Sequence, residues 1–177
     1  MTCPDDFKVF NLRDFDRDSK KIESGIDKGI RVKGWNILEI KASSNELEGD
    51  NPHFFGYSET PLISESAKEA LLKFEPNMEF LPVFDYETEK TYYLVNILKI
   101  IDAIDYERSI FRKLPSGLVV GLEKYAFKDT AKDEPIFKIY LNNRVKTTEV
   151  FVNDVFKESV ETNNLKGFKF IEIFKFE

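Results

Sequence analysis

The sequence predicts an α+β fold, with an antiparallel or mixed sheet and two main helices. Three observations lead there. Seventeen Phe and seven Tyr in 177 residues favour strands and large buried areas. The stretch Pro61–Glu107 reads as a short apolar entry, a capped helix and two strands. The stretch from Phe151 onward repeats the first part of that plan, so a strand–helix–strand unit is expected twice. A chain of this length can enclose one proper core, and a single domain over residues 1–177 is expected.

From the start, Phe7–Leu12 reads as an opening strand. Arg13–Ser24 is a mixed-charge stretch expected as a loop or short exposed helix. Gly25, Gly29 and Gly34 punctuate a segment that returns to Ile26, Ile30 and Val32, which suits a strand between turns. Trp35–Ile40 is a further strand. Lys41–Pro52, with Ser43, Ser44, Asn45, Gly49, Asp50, Asn51 and Pro52, is the clearest loop and the expected mobile segment.

In the central stretch Ser64 is a good N-cap, because its hydroxyl can accept an orphan backbone N–H. Glu65 sits in the first turn, where the helix dipole favours a carboxylate. Ala67, Ala70, Leu71 and Phe74 share one helical face, and Pro76-Asn77 stops the helix. Met78–Tyr86 and Thr91–Leu98 are strands joined by Glu87–Lys90. Both are apolar on both faces, as in the middle of a covered sheet.

Ile100, Ile101 and Ile104 suggest a helical turn within Lys99–Ser109. Ile110–Leu114 and Leu118–Phe127 are strands about the turn Pro115-Ser116-Gly117. Lys128–Pro135 is a charged turn, and Ile136–Leu141 is a strand without a polar face, closed by Asn142-Asn143. Phe151-Val152 precedes the cap Asn153, with Asp154 in the place of Glu65. Lys157 and Glu158 correspond to Lys68 and Glu69. Asn163, Asn164 and Gly167 end this second helix. Phe168–Phe176 is expected as a strand, with Phe170 opposite Phe80 after one inserted residue.

Composition excludes several function classes. Net charge is −6 and the pI about 5.1, which argues against nonspecific nucleic-acid binding and is compatible with a basic protein partner. A charged fraction of 33% with interleaved signs suits a monomer or small homo-oligomer. Cys3 is the one cysteine, so an intramolecular disulfide is impossible. The opening MTCPDDFKVF has neither the basic nor the apolar part of a secretory signal. No run reaches the roughly 20 apolar residues of a membrane span. The expected compartment is a reducing cytoplasm.

Catalytic and metal chemistry finds few residues to use. His53 and Cys3 have no partners at ligand spacing, which excludes the usual zinc site. Asp14, Asp16 and Asp18 alternate like a calcium loop but lack its glycine and closing carboxylate. There is no nucleophile elbow, phosphate loop or dinucleotide fingerprint. Ser64 and Ser66 stand where capping is the commoner role. Two carboxylate groups remain: Asp102, Asp105 and Glu107, and Glu46, Glu48 and Asp50. Both read better as solvated faces than as tuned acids. No cofactor, metal or catalytic residue is expected.

Three blocks of residues resemble the bacterial immunity proteins of polymorphic toxin systems, specifically the family numbered eleven. The first is Leu62–Lys68 with Phe80–Val83. The second is Tyr92–Ile97 leading into Asp102–Asp105 and Ser109. The third is Ile136–Lys138, Phe151–Asp154 and Asn164–Phe170. The family often has Ser where Asn153 stands, a change between two short side-chain caps. The resemblance covers Pro61 to the C-terminus and leaves the first sixty residues unmatched. It implies a protein that binds and neutralises a toxin domain made by the same cell, with no catalytic residues.

An acidic protein would meet a basic toxin domain through electrostatic steering. Asp102, Asp105 and Glu107 are the first choice for the contact patch; the competing role for the two aspartates is turn stabilisation. Trp35, Tyr57 and His53 are candidate aromatic anchors, against the commoner role of a core residue for Trp35. The rival readings are an adaptor with another protein or small-molecule partner, a hydrolase using a carboxylate cluster, and a purely structural protein.

Overall fold

A computed structural model describes residues 1–4, 6–26, 28–43, 46–57 and 59–176. The chain opens with β1 (Val9–Leu12), α1 (Phe15–Gly25), β2 (Leu38–Ala42) and β3 (His53–Phe54). It continues with β4 (Leu62–Ser64), α2 (Glu65–Leu71), a 3₁₀ turn (Leu72–Asn77), β5 (Met78–Asp85) and β6 (Lys90–Ile97). Then come β7 (Ile100–Ile101), β8 (Ile110–Lys113), β9 (Val119–Lys124) and a 3₁₀ turn (Asp129–Ala131). The last elements are β10 (Ile136–Leu141), β11 (Arg144–Val145), β12 (Phe151–Val152) and α3 (Asp154–Thr162).

A six-stranded mixed sheet runs in the order β3-β1-β2-β5-β6-β4. The β1–β3 and β2–β5 pairs are parallel and the others antiparallel. Its centre is the β5–β6 hairpin, in register from Met78↔Ile97 to Asp85↔Lys90. Asp85 is buried at the turn and accepts from the Glu87 N–H at 3.1 Å and the Thr88 hydroxyl at 2.5 Å. Period-two alternation sends Leu81, Val83, Tyr92 and Leu94 to one face and Met78, Val95 and Ile97 to the other. Both faces are covered, as two-sided apolar strands require. The first core includes Phe10, Leu38 and Ile40 and is closed by Ile22 of α1. The second lies under α2 and α3, where Phe74 and Phe156 meet at 5.1 Å.

The repeated unit appears in the way those helices meet. Ala67 and Leu71 in α2, and Phe156 and Val160 in α3, are the buried positions of the two helices at corresponding places. The Ser159 hydroxyl donates to the Ala70 carbonyl across a separation of 89 residues, the same offset that relates Lys68-Glu69 to Lys157-Glu158. Both caps form: Ser64 Oγ accepts from the Ala67 N–H at 3.1 Å and Asn153 Oδ1 from the Phe156 N–H at 3.2 Å.

A second sheet is built on β10, which pairs parallel with β7 and antiparallel with β11 and β12. Behind it a third core gathers Ile104, Phe127, Phe137, Ile139 and Phe151. Phe127 lies 5.4 Å from Phe151 and 5.7 Å from Phe174, a spacing that favours edge-to-face aromatic pairs. Strands β8 and β9 form a separate two-stranded ribbon.

The structure corrects five local expectations. The helix alternative for Arg13–Ser24 holds, but α1 is 11 residues long with Asp18, Ser19 and Ile22 buried rather than exposed, so among the described residues three helices stand where two main ones are expected. Asp14 caps it by accepting from the Arg17 N–H at 3.0 Å, and Asp16 and Asp18 favour its positive end. No strand forms at Ile26–Val32 among the described residues. Ile26 closes α1 instead, and the Val32 N–H donates to the Glu79 carboxylate at 2.9 Å. Asn96, paired with Glu79 across the hairpin, holds the Ile30 carbonyl at 3.0 Å. Side chains of the sheet thus take the hydrogen bonds a strand would have used.

The strand expected at Trp35–Ile40 begins at Leu38 and runs to Ala42. Its ladder starts opposite Val83, just past Pro82, and the Trp35 indole N–H donates to the Pro82 carbonyl at 2.9 Å. The rest of Lys41–Pro52 lacks an extended strand, although Ser44 and Asn45 lie outside the described residues. Ile100-Ile101 is strand rather than helical turn, captured by Lys138 and Ile139 of β10. Among the described residues Phe168–Phe176 forms no ladder beyond the single bridge Thr2↔Lys169. Its phenylalanines pack instead: Phe168 and Phe170 on the second core, Phe174 and Phe176 on the third.

Candidate functional site

The first site lies where the cap of α2 meets the loop before β3. An open cleft of about 490 Å³ is lined by Glu48, Asp50, Ser64, Glu65, Lys90 and Tyr92, among others. Asp50 is its structural hub. One carboxylate oxygen accepts from the Ser64 hydroxyl at 2.6 Å and the other from the Lys166 N–H at 2.8 Å. Ser64 Oγ therefore bonds both Asp50 and the first turn of α2.

Glu48 accepts from Lys8 at 2.9 Å and from Lys90 at 3.1 Å. These bonds, Lys8 first, hold its carboxyl below the usual range. Glu65 is held low by Lys68 and then by the Tyr93 hydroxyl, which donates a short hydrogen bond to it. The same Glu65 bond raises the Lys68 ammonium, which also stands 4.3 Å over the Tyr93 ring. Burial, followed by the charges of Glu48, Asp85 and Asp50, pushes the Tyr92 hydroxyl up to about 12. Chemically the cleft presents ionised carboxylates with bound ammonium groups.

The second candidate is the loop between β7 and β8. Asp105 Oδ1 accepts from the Glu107 N–H at 3.0 Å and the Arg108 N–H at 3.2 Å. This is an Asx turn, the competing role foreseen for it. Asp102 pairs with Lys128 at 2.9 Å in an exposed setting, where such a pair adds little stability. The Glu107 side chain is exposed and has no ion pair among the described residues. The loop is moored by Ser109, which exchanges hydrogen bonds with the Ala126 N–H and carbonyl.

The three aromatic candidates lie elsewhere. Trp35 and Tyr57 are half-buried against the first core. Tyr57 stacks on Phe54 at 5.1 Å; burial first, then the charge of Glu23, raises its hydroxyl's pKa. His53 is in β3, with Nε2 at 2.9 Å from the Pro4 carbonyl. The fold thus gathers Trp35 and Tyr57 on one core and leaves the acidic loop against another, which holds Ala103 and Ile104.

In the sequence Glu48 and Asp50 stand out only as members of a carboxylate cluster that reads better as a solvated face. Their partners, Lys8, Lys90, Ser64 and Lys166, lie 14 to 116 residues away in the chain, and no local spacing signals them. Among the described residues no group of three His, Cys, Asp or Glu side chains is arranged to hold a metal ion, and no helix is long and apolar enough to cross a membrane.

The candidate sites are paired charges and exposed loops on a mixed α+β scaffold, a description that many protein families share. The comparison with known families supplies the particular one: the immunity protein family (Imm11) matches residues 41–175, and the chain belongs to it. The match starts ahead of Pro61, so the acidic loop and cleft both fall inside it. No curated protein matches.

Proposed function

We propose that this protein binds a cognate bacterial toxin domain and neutralises it by stoichiometric contact, without catalysis. The family match over residues 41–175 carries the reading. In this reading the whole chain acts as one domain in the cytoplasm, as a monomer or small homo-oligomer, and needs no cofactor. The net charge of −6 supports fast association with a basic toxin surface.

Asp102, Asp105 and Glu107 are the proposed contact patch. Glu107 is its leading member, because Asp102 is paired with Lys128 and Asp105 is engaged in its own turn. Trp35, Tyr57 and His53 would contribute only the edges that the first core and β3 leave exposed.

The test is co-expression with the toxin domain encoded beside this gene, scored by growth and then by co-purification. Rescue with a one-to-one complex is the expected result. No rescue and no complex, with a toxic domain and a folded partner, removes the reading. A complex without rescue favours the adaptor alternative. Glu107→Lys is expected to weaken the complex about threefold or more at low salt, with the effect fading as salt rises.

A further inference from the structure

The ribbon β8–β9 pairs with no other strand among the described residues. Phe111 and Leu122 face each other across it and anchor it on the third core. Tyr106 stacks on Phe111 at 5.3 Å. Beyond that anchor most of the ribbon's side chains are exposed. Ile110, Leu114 and Leu118 are 51%, 47% and 58% exposed, and Val120 is 39% exposed. Single exposed aliphatics are ordinary, and four within one short hairpin are a local concentration of exposed apolar side chains.

The charge of this hairpin opposes that of the molecule. Between Arg108 and Lys124 stand four basic residues and one acid, Glu123, in a chain of net charge −6. Arg112, Lys113 and Lys124 are exposed and make no ion pair among the described residues. Elsewhere some cations are paired, Lys8 and Lys90 with Glu48 and Arg17 and Lys21 with Asp18, and others such as Lys20, Lys41 and Lys175 make no ion pair among the described residues; what sets the hairpin apart is its local excess of positive charge. At the flank of β9, Asn142 donates to the Val119 carbonyl at 3.2 Å. That contact places the β10–β11 turn, and the exposed Arg144 beside it, next to the ribbon.

We propose that the β8–β9 hairpin docks an acidic surface of the toxin domain, an inference that rests on the immunity reading. An aliphatic centre with a rim of unpaired cations fits an apolar patch rimmed by carboxylates on a folded protein. The centre supplies burial and the rim supplies orientation. The acidic loop at the base of the hairpin, with Glu107, places the opposite sign beside this rim and so fixes which way round the partner sits. A nucleic-acid occupant fits less well. The net charge of −6 disfavours phosphate, and the hairpin's exposed apolar side chains are aliphatic, with Tyr106 at its base already stacked on Phe111.

The experiment is titration calorimetry of the full chain with the toxin domain encoded beside its gene. Two variants are compared with the wild type: Arg112→Glu with Lys113→Glu, and Leu118→Ser with Val120→Ser. All four side chains are on the surface, so far-UV circular dichroism and the melting temperature should hold. Lys124→Glu is the milder substitute if either double variant fails to fold. Each double variant is expected to bind about tenfold or more weakly, the charge pair losing its effect at high salt. Wild-type affinity in both variants overturns the hairpin assignment and leaves the immunity reading standing. No binding by the wild type overturns both. Binding of a fluorescent DNA duplex by the wild type, lost in the charge variant, also overturns the proposal by making the rim a phosphate site.

Discussion

Ser64 and Asn153 are the same device at two places, yet their removal should cost differently. Asn153→Ala loses one cap bond, about 1 kcal/mol. Ser64→Ala loses the cap and also leaves Asp50 without its hydroxyl donor, so about 2 kcal/mol is expected. Urea unfolding of the two variants checks the order. Gly167 is a sharper case. Its φ is +85° and an added Cβ would stand 2.9 Å from the Asn51 carbonyl oxygen. A left-handed backbone and a close approach are both needed here, and Gly167→Ala should destabilise by more than about 1 kcal/mol. It would also disturb the bond from Asn51 Nδ2 to the Gly167 carbonyl, which ties the loop before β3 to the turn after α3.

At the scale of elements, α2 and α3 are too short to be stable alone. They persist because their apolar stripes close on each other and on β5 and β6. Phe156→Ala empties the centre of that contact, where the ring is fully buried against Phe74. A loss of about 3–5 kcal/mol is expected, visible as a large fall in the midpoint of denaturant unfolding. Removing an exposed residue of α3 such as Val155, 55% exposed, should do little. The hairpin β8–β9 behaves differently. Its outer residues contribute little to the core, so its surface is free to be specified by binding.

For the whole molecule, pH is the accessible lever. Asp18 is buried and its carboxyl is held low, first by Arg17 and then by Lys21. Glu48 and Glu65 are held low by their lysines. A carboxyl with a depressed folded-state pKa stabilises the fold above its unfolded value, and that contribution disappears as the pH falls through the folded value. Unfolding free energy should therefore be flat near neutrality and fall below the ordinary carboxylate values of 3.8 for Asp18 and 4.5 for the glutamates. Asp18→Asn should be less stable at neutral pH and should show a shallower acid limb. Denaturant melts between neutral pH and about pH 3 measure both.

Sequence by itself determined the parts that depend on neighbours in the chain. The caps at Ser64 and Asn153, the β5–β6 hairpin, strand β10 and the apolar stripes of α2 and α3 follow from spacing and capping chemistry. The blocks that resemble the immunity family are made of these same residues. Tertiary structure decided what depends on partners far along the chain. Glu79 and Asn96 hold Ile30–Val32 out of strand geometry, β10 draws Ile100-Ile101 into a sheet, and among the described residues Phe168–Phe176 makes only the single bridge Thr2↔Lys169 and packs its phenylalanines on two cores. The candidate sites divide in the same way. The turn role of Asp105, held open beside a contact role, is legible because its bonds are local, whereas the exposure of the apolar residues around Leu118 is set only by the fold. Local hydrogen bonds are written in spacing, but charge compensation and exposure are set by the fold as a whole.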